Sequence, residues 1–142
     1  MEISDVRKRL LQTIDRAKRA AADRRVRTDA AAKAYDEFLE KVATPVFRMS
    51  ATALKAQGHL FVVHTPAGGL RLASERSGED YIELALDAAA DPPTVIGRVS
   101  RGRGHRVVSI EREIREKTAI ERLTEDDVLE FLLAEIVPFV VK

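Results

Sequence analysis

From Ser4 to about Val42 the chain has no Pro and no Gly, and Ala, Arg, Lys and Leu dominate the stretch. So long a run without a breaker restricts the fold more than any other feature, because such residues favour helix at nearly every position. Ile3, Val6, Leu10, Ile14, Ala17 and Ala21 advance by three or four and mark one narrow apolar stripe, while Lys8, Asp15 and Arg19 face away. These six positions average one per helical turn, which does not separate a straight packed helix from a heptad seam.

Unbroken, such a helix is roughly 60 Å long at 1.5 Å per residue, about twice the diameter of a small domain. It then overhangs its own domain. Alternatively, Thr28 or Asp29 caps a second helix after the polar Arg24-Arg25-Val26-Arg27 patch, and the chain folds back as a helical hairpin. Residues 1–43 thus form an N-terminal helix or helical hairpin, projecting in the first case, ahead of a single α+β domain over 44–142. Ala31, Tyr35, Phe38 and Val42 continue the stripe with larger side chains, so this part is expected to pack on a sheet.

Thr44-Pro45 is a helix-start signal, with Thr as cap and Pro at the first position, and Gly58 can close the short helix that follows. Val46, Phe47, Ala51 and Leu54 would point inward. An antiparallel meander of five strands is expected over 59–114. His59 to His64 is apolar on both faces, as a covered central strand would be, and Thr65-Pro66-Ala67-Gly68-Gly69 is turn chemistry. Leu70 to Ser74 and Tyr81 to Asp87 alternate, with Leu70, Leu72, Ile82, Leu84 and Leu86 on one face. Thr94 to Arg101 and His105 to Arg112 flank a tight turn at Gly102-Arg103-Gly104, with Val95, Val99, Val108 and Ile110 as buried members.

Thr124 followed by Glu125, Asp126 and Asp127 is a capped, acidic helix start. The helix is expected to run to Ile136 and to end at Pro138. Val128, Leu129, Phe131, Leu132, Leu133 and Ile136 make it apolar around much of its circumference, which implies burial on more than one side. Phe139 to Lys142 is apolar for a chain end, and either adds an edge strand or docks elsewhere. The expected fold class is α+β: long N-terminal helix, short helix, five-stranded antiparallel meander and C-terminal helix.

Several chemistries lack the residues they need. The chain has no Cys, so it offers no disulfide and no thiolate nucleophile or ligand. His59 and His64 lie at odd and even positions of one strand, and alternation sends them to opposite faces, so they do not chelate together. No Gly-x-Ser-x-Gly elbow or Ser-x-x-Lys is present, and no Lys has a carboxylate two residues before it. Glu83, Asp87 and Asp91 are the carboxylates that a paired-carboxylate site would use, although alternating acids on a strand are usually its solvated face. Neither Gly-rich turn matches a phosphate loop or leads into a helix. The reading is a protein without catalysis, cofactor or metal.

No apolar run approaches a membrane span, and the N-terminus lacks a basic segment followed by an apolar one, so the cytoplasm is the expected location. The net charge of +1 hides an uneven distribution. Residues 1–33 carry ten Lys/Arg against five Asp/Glu, whereas residues 115–142 carry four against seven. Oppositely charged ends, an overlong helix with an exposed stripe and an apolar C-terminus all suggest surfaces completed by another chain. The expected function is therefore protein–protein interaction or assembly as a homo-oligomer or with another protein subunit, through Ile3, Val6, Leu10, Ile14, Ala17 and Ala21. The opposing explanation is that the stripe simply packs on its own sheet. Nucleic-acid binding is the second reading: Arg98, Arg101, Arg103 and Arg106 place positive charge on a two-stranded ribbon narrow enough for a groove, and the basic first helix adds phosphate contacts.

Overall fold

A computed structural model describes residues 1–141 and has the expected α+β architecture. Helix α1 spans Ile3–Phe38, a π-helical turn follows at Leu39–Ala43, and α2 continues over Thr44–Ala56. The chain is therefore helical without interruption from Ile3 to Ala56, with one bend. Thr28 and Asp29 cap nothing, since both lie inside α1. Thr44 is likewise helical, with φ −60° and ψ −45°, so the expected start of a separate helix is corrected to a junction within one. The physical reason lies in Pro45, which lacks an N–H and whose ring crowds the carbonyl four residues earlier. A widened π turn just before it absorbs both defects, and the helix bends there instead of breaking.

At its far end the helix closes as expected. Gly58 adopts φ +86°, and the His59 amide donates to the Leu54 carbonyl at 2.9 Å, the long bond of a Schellman-type cap.

Five strands follow: β1 (Phe61–His64), β2 (Gly69–Ser74), β3 (Tyr81–Asp87), β4 (Thr94–Arg103) and β5 (Arg106–Glu113). They pair antiparallel in the order β1-β2-β3-β4-β5, a simple meander. Two expectations about it need correction. β1 is an edge strand and not a central one; Phe61 and Val63 pack on the core and Val62 faces the other way, all three half-buried. The last hairpin turns at Gly104-His105, because Arg103 and Arg106 are register partners and Gly104 takes the positive φ of +59°.

Register sorts the two faces. Leu70, Leu72, Ile82, Leu84, Val95 and Val99 share the face that the helices cover, and all are buried. They meet Phe38, Val46, Phe47, Val128, Phe131 and Leu132, which form one core. Each such side chain stabilises the fold by roughly 1.5–3 kcal/mol relative to exposure. Helix α3 (Glu125–Val140) closes this layer, started by a capping box in which Thr124 Oγ1 accepts from the Asp127 amide and Asp127 Oδ2 from the Thr124 amide.

Pro138 does not end α3 but lies within its last turn. So close to the terminus the missing N–H costs a single bond, and Phe139 gains an edge-on contact with Phe61 at 6.0 Å. The C-terminal end thus docks on the core; of its residues, Lys142 lies outside those described. Val108 and Ile110, expected to be buried, are 39% and 48% exposed. α3 crosses the sheet over β4, where Phe131 sits against Gly97, and from β5 it is Arg112 that reaches it, its guanidinium 4.5 Å above the Phe131 ring. Val108 and Ile110 lie beyond that contact.

Candidate functional site

Heptad spacing links the two halves of α1. Leu10, Ile14, Ala17, Ala21, Arg24, Thr28, Ala31, Tyr35, Phe38 and Val42 alternate by four and three, which is a seam along one side of a helix. From Ala31 onward the seam is core: Ala31, Tyr35 and Phe38 are buried, and the Tyr35 hydroxyl shares its hydrogen between the Gly68 and Leu84 carbonyls at 3.1 and 3.2 Å. Burial raises the Tyr35 pKa, with the Glu83 and Asp36 carboxylates adding to the rise and Arg98 opposing it.

Before Ala31 the same seam is not buried by the described residues, and only Arg24 and Thr28 border the loop at residues 88–93. Ile3, Val6, Leu10, Ile14 and Ala17 are exposed and Ala21 is half-buried, with Leu10 at 56% and Ile14 at 45%. The six residues picked out in the sequence therefore stand together on one side of a projecting helix. Leu11 and Val26 are exposed on it as well.

A second apolar surface was not anticipated. α3 buries Val128, Phe131 and Leu132, but Leu129, Leu133 and Val137 line its outer side, the last two 54% and 53% exposed. Its burial on several sides is thus corrected to burial on one. Val46, Met49 and Ala53 of α2 join Leu129 around a shallow groove of about 310 Å³, with Glu125 and Asp126 at its rim. Its sequence signal was the four-residue spacing of Leu129, Leu133 and Val137, out of phase with Val128, Phe131 and Leu132.

The basic hairpin divides between faces. Arg101, Arg103 and Arg106 share the helix side of the sheet, near its open end. Arg98 lies on the other side and pairs with Glu111 at 3.1 Å. It belongs there to a row that crosses four strands in register, Arg71, Glu83, Arg98 and Glu111, in which charge alternates. Glu83 is buried in the middle of this row and accepts from Arg71 at 3.1 Å, while Arg71 also stacks 3.9 Å above the Tyr81 ring. Near the hairpin, the Gly102 amide donates to Asp80 Oδ1 at 2.8 Å, which brings a carboxylate beside the arginines.

The remaining candidates are dispersed. Asp87 Oδ1 accepts from the Ala89 amide, and Asp91 borders an open depression with Arg24 and Arg27 of α1. His59 precedes β1, His64 ends it and His105 sits in the last turn. No helix among the described residues is long and apolar enough to cross a membrane. No family model, curated protein or solved structure matches the chain.

Proposed function

We propose that this protein is a non-enzymatic assembly subunit that self-associates through the projecting part of α1. One observation carries the reading: one side of the helix is core from Ala31 to Val42 and stands exposed from Ile3 to Ala17. Large aliphatic side chains repeated along an exposed helix make a contiguous apolar strip, the kind of surface that soluble proteins cover with a partner. The opposing explanation, packing on the chain's own sheet, accounts for the seam only beyond Ala31.

Nucleic-acid binding through the hairpin is the weaker reading. It keeps Arg101, Arg103 and Arg106 on one face, but Arg98 is engaged by Glu111 and Asp80 is held at Gly102, near the tip of the hairpin. Fewer unopposed charges mean fewer counterions released on binding.

The test is the double substitution Leu10→Asp with Ile14→Asp. Both side chains are exposed in a single chain, so the circular dichroism spectrum and the unfolding midpoint of the domain are expected to persist. The mass in light scattering is expected to fall to that of one chain. An oligomer of unchanged mass would remove α1 from the contact.

A further inference from the structure

We infer that the exposed stripe of one copy docks antiparallel on the outer side of α3 in a second copy. This rests on the self-association proposed above and names the surface that completes it. The stripe cannot reach α3 of its own chain: α1 is continuous, and Val6 lies about 38 Å along its axis from Ala31, the first residue that the helix buries.

Charge decides against α1 pairing with α1. Between Ile3 and Arg27 the helix carries nine Lys/Arg and three Asp, and Lys18, Arg25 and Arg27 flank the seam with no carboxylate among the flanking positions. Two such helices side by side would set like charges against each other and place Arg24 in the shared seam. α3 is the opposite in sign. It has no Lys or Arg, and Glu125, Asp126 and Glu130 are exposed beside Leu129, Leu133 and Val137.

Spacing matches as well as charge. Val6, Leu10 and Ile14 are four apart, and so are Leu129, Leu133 and Val137. Laid antiparallel, Ile14 meets Leu129, Leu10 meets Leu133 and Val6 meets Val137, and the same register brings Lys18 to Glu125. A parallel arrangement of the same residues would set Glu2 against Glu125 and lose the pairing of Lys18 with Glu125. The groove between α2 and α3, with Met49 and Ala53 on its other wall, receives the side chains around Ile14.

The experiment mixes two variants. Leu10→Asp/Ile14→Asp loses the stripe and keeps α3; Leu133→Glu/Val137→Glu loses the α3 surface and keeps the stripe. Each alone is expected to elute as a single chain of 15.8 kDa with the parent's circular dichroism. An equimolar mixture is expected to regain a species of two chains, because each variant supplies what the other lacks. A mixture that stays at one chain while the parent oligomerises overturns the inference. So does an α3 variant that oligomerises like the parent, and in that case self-association through α1 still stands. A parent that is itself a single chain overturns both. Register has its own readout: Lys18→Glu weakens the contact roughly tenfold, and adding Glu125→Lys restores it; no restoration overturns the antiparallel pairing.

Discussion

At Gly97 a missing side chain sets how close a helix can come to the sheet. A Cβ there would run into the Phe131 ring, which cannot retreat, since it is buried in the core with the Arg112 guanidinium above it. Gly97→Ala is therefore expected to lower stability by about 1–3 kcal/mol in urea unfolding, the cost of overpacking. Gly78→Ala, with nothing within 4 Å of the added methyl, should change little. An isolated Gly inside a strand is itself a sign of close backbone approach, so this contact was legible in principle. What came to be close was not, because that depends on α3, which follows at a distance in the chain. Tyr35 gives a pH signature at the same scale. Its pKa is raised by burial in the folded state, so above about pH 10 the unfolded chain loses a proton that the folded one retains. Stability from this group is complete below that pH and declines above it. Chemical denaturation between pH 8 and 11 should show a steeper decline for the parent than for Tyr35→Phe.

Elements are legible in the sequence where local chemistry acts alone and obscure where packing overrides it. The Thr124 cap, the Gly58 terminus, and the alternation of β2 and β3 all stand as expected. Thr44-Pro45 and Pro138 did not break their helices. A π turn before the one and proximity to the helix end for the other make each proline tolerable, and neither circumstance shows in the residues. The edge position of β1 is hidden for a related reason: apolar residues on both faces describe burial, not the number of neighbouring strands. α1 has a further support that needs no packing. Asp5 and Arg9, Asp15 and Arg19, Asp23 and Arg27, and Asp29 and Lys33 are each four apart with the acid first, the orientation that favours a solvated helix. Because burial on the domain starts at Ala31, removing residues 1–27 should shift the domain's unfolding free energy by no more than about 0.5 kcal/mol. That comparison belongs at a dilution where the parent is a single chain, since association would otherwise add to its stability.

For the whole molecule, the unequal charge of its two ends acquires a meaning from the fold. The basic end is a helix that leaves the domain, and the acidic end is a helix on which Leu129, Leu133 and Val137 stay exposed among the described residues. Composition disclosed the charges, and periodicity disclosed the stripe on α1. Neither disclosed the matching stripe on α3, because Leu129, Leu133 and Val137 look like core in a helix that is apolar on nearly every side. Complementary surfaces at opposite ends of one chain predict association that weakens with salt, because ion pairs flank the apolar contact. The most direct measurement is the mass of the unmodified protein by light scattering after size exclusion, over a wide range of loading concentrations. Masses at or above twice 15.8 kDa that fall toward one chain on dilution are the expected result. A mass of one chain at every concentration would contradict the account.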